Sequence, residues 1–149
     1  MKLADFLVLA KKDTYANPNA QSQTFEDGGK ALYFSAGHFS YVDRYYGEQA
    51  FLGEEIVKEG TKPVWGMNYC GLSLAEEPSS AQIFHFLKSA IQQVPPELPL
   101  RGPLSYQSGD YLYRNQLSGT LDFFSGTEEI LFKNELVYRL HYHGGSIRS

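Results

Sequence analysis

The sequence is poor in cysteine, in clusters of basic residues and in long apolar segments. Its 149 residues include a single cysteine, Cys70, which excludes an internal disulfide framework and predicts a reducing compartment. Lysine and arginine together number 13, form no basic run and leave a net charge of −4. The electrostatic footprint of a nucleic-acid-binding protein is therefore missing.

Membrane and export signals are also missing from the sequence. The apolar run at residues 6–10 is too short to span a membrane, and charged residues follow it directly. No small-residue cleavage pattern of a signal peptide comes after it. We therefore expect one cytoplasmic domain, which at this length can bury roughly 68–70% of its unfolded surface.

Short catalytic and cofactor-binding motifs do not occur in the chain. It has no glycine-rich phosphate loop, no Gly-x-Ser-x-Gly sequence and no HExxH sequence. His141 and His143 would face the same way on a strand, but no third metal ligand stands at a recognisable spacing. We expect no cofactor and no bound metal.

Aromatic residues are what the chain has in excess, at 15% of the sequence with eleven tyrosines. Tyrosine suits pleated strands and brings a polar tip to an apolar wall. A β-rich core accounts for this composition, and an aromatic-lined pocket is the more specific alternative.

Local patterns predict two helices among many strands. Apolar residues at helical spacing predict a helix over residues 2–13, and a capping box of Ser79 and Gln82 starts a second helix that stops before Pro95. The polar segment 16–30 is a loop, and 95–103, with four prolines, is a stiff spacer. Predicted strands cover residues 31–35, 39–46, 50–58, 62–72, 104–106, 111–115, 117–125, 128–132 and 136–143.

An internal repeat relates residues 51–74 to residues 124–147 at an offset of 73. Identical pairs include Phe51 with Phe124, Gly53 with Gly126, Glu55 with Glu128, Val64 with Val137, Tyr69 with Tyr142, Gly71 with Gly144 and Ser73 with Ser146. Tyr33 and Tyr106 extend the match upstream without a gap. Self-similarity of this kind indicates structural duplication. It predicts an α+β fold of two tandem helix-plus-antiparallel-strand repeats, about 1–74 and 75–149, forming one twisted sheet or half-barrel with two helices.

Strand alternation places the candidate binding residues on one face of the sheet. They are Glu55, Trp65, Tyr69, Arg101, Glu128, Tyr138 and Tyr142. Glu55 and Glu128 could face a ligand or share a proton for acid/base work, or each could pair with an arginine such as Arg44, Arg101 or Arg114. Trp65, the only tryptophan, is expected to be buried against the opposite half and to border any cavity.

Six stretches resemble an uncharacterised bacterial domain family, some members of which carry a helix-turn-helix DNA-binding segment in front. They are 14–16 (TYA), 41–47 (YVDRYYG), 51–55 (FLGEE), 65–71 (WGMNYCG), 101–103 (RGP) and 138–145 (YRLHYHGG). The resemblance implies a sensor or ligand-binding module. Because one helix precedes the first strands here, we expect the DNA-binding segment to be absent.

Three functions remain open at this point. The first is a domain that binds a small molecule on the aromatic face, with no nucleic acid or membrane as partner. The second is an enzyme, a hydrolase or isomerase, that uses Glu55 and Glu128. The third is a module that forms a homodimer through an exposed aromatic face. Convergence of the two carboxylates in a cavity would favour the first two, whereas carboxylates tied into arginine pairs away from any cavity would favour the third.

Overall fold

The computed structural model describes all 149 residues and contains two helices and nine strands. The elements are α1 (Leu3–Asp13), β1 (Gln23–Thr24), β2 (Lys30–Ala36), β3 (Phe39–Gly47), β4 (Ala50–Glu59), β5 (Lys62–Ser73), α2 (Ser80–Ile91), β6 (Ser105–Ser108), β7 (Tyr111–Thr120), β8 (Phe123–Phe132) and β9 (Glu135–Ser146). Neither helix has both the length and the apolar character needed to cross a membrane.

All nine strands form one antiparallel sheet that does not close. Their order is β1-β2-β3-β4-β5-β9-β8-β7-β6, so two meanders meet where β5 pairs with β9. The fold is mostly sheet with two helices, which agrees in coarse terms with the predicted α+β class.

The β5–β9 ladder has a symmetric register. Met67 lies opposite Gly144, and their counterparts at the offset of 73, Leu140 and Gly71, lie opposite each other. The two meanders therefore approach this seam in the same way.

The offset differs in the neighbouring strands. Tyr41 lies opposite Val57 across β3 and β4, whereas Tyr113 lies opposite Ile130 across β7 and β8. The two tyrosines are 72 residues apart and their partners 73. The prediction of an ungapped match extending upstream to Tyr33 is therefore wrong, because the β7–β8 hairpin contains one residue more than the β3–β4 hairpin.

One predicted strand crosses a real turn. Residues 117–125 were expected to be a single strand, but β7 ends at Thr120 and β8 begins at Phe123. Gly119 has a φ of 101°, which favours glycine and bends the chain into the turn. Apolar Leu121 lies in this turn and makes the sequence resemble a continuous strand.

The core lies between the two helices and one face of the sheet, as the strand alternation predicts. Trp65 is fully buried, its indole Nε1–H donates to the carbonyl oxygen of Leu121 at 3.0 Å, and its ring stacks on Phe124 at 5.7 Å between centroids. Both partners belong to the second meander, so the predicted burial of Trp65 against the opposite half is confirmed. The 15% aromatic content largely fills this core.

Candidate functional site

A cleft of about 420 Å³ opens between the chain that follows α1, strands β2 to β4 and helix α2, and we call it the α2 cleft. Its volume falls in the range of roughly 300–1,000 Å³ that small-molecule sites occupy. The apolar part of its wall consists of Ala20, Leu32, Tyr45, Phe51, Ala81 and Phe84, among others.

Helical and strand periodicity bring the lining side chains together. Ala81, Phe84 and Lys88 recur at spacings of three and four, which places them on one stripe of α2. Asp43 and Tyr45 are two residues apart on β3 and share the inner face of the sheet. The capping box of Ser79 and Gln82 fixes the start of α2 at one end of the cleft.

Two buried polar side chains in the cleft have hydrogen-bonding capacity that the protein does not use. Asp43 is 4% exposed, and its Oδ1 accepts a hydrogen bond from the Tyr69 hydroxyl, while its Oδ2 has no partner. Arg101 is 7% exposed; its Nε and Nη2 donate to Glu128, while its Nη1 has no partner. No fully buried side-chain nitrogen or oxygen lacks a partner, so both free atoms are open to solvent in the cleft.

The environment of Asp43 changes its acidity. Burial and the nearby Glu55 carboxylate raise the pKa of Asp43 to about 7, against the opposing influence of the Tyr69 hydrogen bond and of Arg101 and Lys11. This carboxyl group therefore changes protonation state near neutral pH.

Glu55 is not in the α2 cleft. Its side chain is buried, and its Oε1 accepts hydrogen bonds from Lys11 Nζ at 2.9 Å and from the Tyr41 hydroxyl at 2.7 Å. The expected ion pair exists, but its cation is a lysine of α1 and not an arginine.

Glu128 is also outside the cleft and has more partners. Arg101 donates two hydrogen bonds to its carboxylate, and the hydroxyls of Tyr113 and Tyr138 donate one each. Burial and then Glu128 raise the pKa of Tyr113 and Tyr138 well above the usual value, so both hydroxyls stay protonated. The two glutamates do not converge in a cavity; each is held by a cation and by tyrosine.

The predicted aromatic residues separate into two groups. Tyr69 lines the cleft, whereas Trp65, Tyr138 and Tyr142 are buried in the core and do not. The Tyr142 hydroxyl donates to Asn115 Oδ1 at 2.7 Å, and burial raises its pKa to about 12. Of the seven predicted binding residues, the structure therefore brings only Tyr69 and Arg101 to the cleft. The predicted aromatic face lies in the protein interior, so its rings cannot contact a second chain.

Sequence reasoning missed Asp43, Tyr15 and Lys88. The sequence does contain a signal for Asp43. Tyr41, Asp43 and Tyr45 occupy alternate positions of one strand, which places an acid on a face that is otherwise aromatic. Tyr15 and Lys88 meet the cleft only through the packing of α2 against the end of α1, and no local pattern marks them.

The second meander has the same arrangement, but the residue equivalent to Asp43 is covered. Tyr69 donates to Asp43 in the first meander, and Tyr142 donates to Asn115 in the second. The Asn115 Nδ2 also donates to the carbonyl oxygen of Gly102 at 3.2 Å. The proline-rich connection before β6 thus covers Asn115, whereas Asp43 faces open space.

The single cysteine and the two histidines considered as metal ligands lie elsewhere. Cys70, His141 and His143 are exposed on the other face of the sheet, and the His141 ring contacts Thr127. Nowhere do three or more histidine, cysteine, aspartate or glutamate side chains group in a way that could hold a metal ion.

Comparison with known proteins identifies the family of this chain but no activity. The sequence pattern of DUF5680, a domain of unknown function, matches residues 43–147, which includes Asp43, Tyr69 and Arg101. Searches of curated proteins and of solved structures found no match. Because the match covers more than half of the chain, this protein belongs to the DUF5680 family of domains of unknown function.

Proposed function

We propose that this protein is a small-molecule-binding domain and that the α2 cleft is its binding site. The observation that carries the proposal is a pair of unpaired polar atoms, Asp43 Oδ2 and Arg101 Nη1, on two largely buried side chains that face a cleft with aromatic walls. Both atoms reach solvent through the cleft, so a ligand that accepts from Arg101 Nη1 and hydrogen-bonds to Asp43 Oδ2 would take the place of water there.

The difference between the two meanders supports this assignment. We propose that they arose by internal duplication, since the β5–β9 register and the Tyr69/Tyr142 hydrogen bonds are equivalent. A structural role at this position is fulfilled by neutral Asn115, whose Oδ1 and Nδ2 both have hydrogen-bond partners. An acid with a free oxygen at Asp43 is not needed for the fold, and binding explains its presence. Binding without chemistry also fits the sensor role that the family resemblance implies.

The test is a thermal-shift screen of a metabolite library on three proteins. Wild type is compared with Ala81→Trp, which places a large ring at the α2 cleft, and with His85→Trp, which places the same ring in a second cleft between α2, β6 and β7 that Ala81 also borders. A ligand that binds only the folded state raises the melting temperature by mass action. We expect at least one compound to stabilise wild type and His85→Trp but not Ala81→Trp.

Two results would contradict the proposal. One is a screen in which no compound stabilises the wild-type protein. The other is a set of compounds that stabilise Ala81→Trp as strongly as wild type, since binding would then occur outside the cleft.

A further inference from the structure

We infer that the α2 cleft takes a small carboxylic acid with an apolar body, whose carboxylate is bound by Arg101 and Lys88. This inference rests on the proposed binding function and specifies the chemical class of the ligand. It also predicts how binding depends on pH.

Two cations of the cleft lining, Lys88 and Arg101, lie close to the same aromatic ring. Lys88 Nζ lies 5.6 Å from the ring centre of Tyr15, and the guanidinium carbon of Arg101 lies 5.7 Å from the same centre. Arg101 already has Glu128 as its counter-ion but keeps Nη1 free. The Tyr15 hydroxyl likewise has no protein hydrogen bond.

Lys88 differs from the other lysines near the cleft because it has no carboxylate partner. Lys11 pairs with Glu55 at 2.9 Å, and Lys30 lies 3.8 Å from Glu48. No acidic oxygen lies within 4.0 Å of Lys88, which is half-buried against Tyr15. An anion placed between Lys88 and Arg101 would therefore gain an uncompensated positive charge and a free N–H donor.

The beginning of α2 adds to the positive character of the cleft. Ser80 and Ala81 line it, and the first amides of a helix have no intrahelical acceptor and carry partial positive charge. The helix start adds to a site formed mainly by Arg101 Nη1 and by unpaired Lys88.

The apolar wall gives the ligand body a surface to pack against. Phe51 and Phe84 pack edge to face with centroids 5.9 Å apart, and Phe51 also contacts Tyr69. The α2 stripe from Ala81 to Lys88 spans about 10 Å at a rise of 1.5 Å per residue. One ring with a carboxylate fits along that stripe, and the cleft of about 420 Å³ also has room for a longer apolar body.

Asp43 would bind such a ligand in its protonated form. The charged groups that act on it are Glu55, Arg101 and Lys11, and its one hydrogen bond comes from the Tyr69 hydroxyl. A ligand carboxylate near Arg101 is repelled by an ionised Asp43 but accepts a hydrogen bond from a protonated one. Because the pKa of Asp43 is already about 7, we expect binding to be coupled to proton uptake and to weaken as the pH rises above 7.

The experiment uses calorimetric titration with benzoate, phenylacetate and cyclohexanecarboxylate, each compared with its uncharged carboxamide. We expect at least one acid to bind wild type and its carboxamide to bind at least tenfold more weakly. Lys88→Met, which keeps the apolar stem, should weaken the acid at least tenfold, whereas Lys12→Met on exposed α1 surface should leave its affinity unchanged.

The pH dependence gives a second, independent readout. The dissociation constant of wild type should rise several-fold between pH 6 and pH 8. Asp43→Asn cannot ionise and keeps a donor at this position, so it should bind the acid with little change over that range.

Failure of all three acids to bind, or equal affinity for acids and carboxamides, would overturn the inference. If the metabolite screen meanwhile yields neutral or cationic compounds that Ala81→Trp excludes, the binding function stands and only the ligand class is wrong.

Discussion

Asp43 and Asn115 lie at equivalent positions of the two meanders, and their side chains differ by one heavy atom. Both accept a hydrogen bond from a tyrosine of the central strands, but Asn115 also donates to the backbone of Gly102. The Asn115 amide is neutral, and both its oxygen and its nitrogen have hydrogen-bond partners. The Asp43 side chain is buried, and its Oδ2 has no hydrogen-bond partner. The acid therefore costs folding free energy whenever it is ionised.

The first prediction follows from that cost. The pKa of Asp43 is about 7 in the folded protein and 3.8 for an ordinary aspartate, so between these values the folded state holds a proton that the unfolded state has lost. The stabilisation from this proton is present at low pH and is lost as the pH rises through about 7. Asp43→Asn should therefore increase the free energy of unfolding, relative to wild type, by about 2 kcal/mol more at pH 8 than at pH 5.

Urea denaturation of both proteins at the two pH values measures this difference. Glu54→Gln, which removes an exposed acid on the neighbouring strand, is the control and should show no such change between pH 5 and pH 8. An equal effect of Asp43→Asn at both pH values would show that Asp43 ionises like an ordinary aspartate.

At the scale of elements, local signals account for most of what could be predicted from the sequence. The capping box of Ser79 and Gln82 and the proline after α2 marked that helix closely, and period-two patterns located the long hairpins. The boundary between β7 and β8 was missed, because apolar Leu121 occupies a turn whose sequence resembles a strand.

The candidate site was predicted much less completely, for a physical reason. Strand alternation gives the face on which Tyr69 and Glu55 lie, but it does not show which parts of that face are covered. The proline-rich connection covers the surface beside Asn115, while helix α2 leaves space beside Asp43. Such tertiary packing decides which residues line a cleft, and neither composition nor spacing reports it.

The second prediction concerns Trp65, which joins β5 to the β7–β8 turn. Its ring is fully buried, so Trp65→Ala should lower the free energy of unfolding by about 3–5 kcal/mol. Trp65→Phe retains a ring that can pack on Phe124 but loses the hydrogen bond to Leu121, and should cost about 1–3 kcal/mol. Chemical denaturation measures both.

Fluorescence of the native protein checks the same prediction without a mutation. The single indole should emit at the short wavelengths of a buried tryptophan and shift to longer wavelengths on unfolding. Native emission like that of a water-exposed indole would refute the packing of Trp65 against the second meander.

At the scale of the whole molecule, the two meanders share one core. The buried cluster of 23 apolar residues includes side chains from both helices and both meanders, and the sheet is continuous through β5 and β9. Neither meander has a core of its own, so the chain should unfold as one cooperative unit.

The third prediction tests this unity directly. A fragment of residues 1–74 loses Phe124 and Leu121, which cover Trp65, and exposes the β5 edge that pairs with β9. We expect circular dichroism to show no cooperative thermal transition for the fragment and a single transition for the full chain. A cooperative transition of the isolated fragment would show that the halves are independent domains.

The most direct test of the binding function is a nuclear magnetic resonance titration of the ¹⁵N-labelled protein with the compound that raises its melting temperature most. We predict that the largest amide shifts cluster around Tyr15, Asp43 and residues 80–88 of α2, while amides around Asn115 change little. Shifts that are largest around Asn115, or on the sheet face that carries Cys70 and His143, would contradict the assignment of the α2 cleft as the binding site.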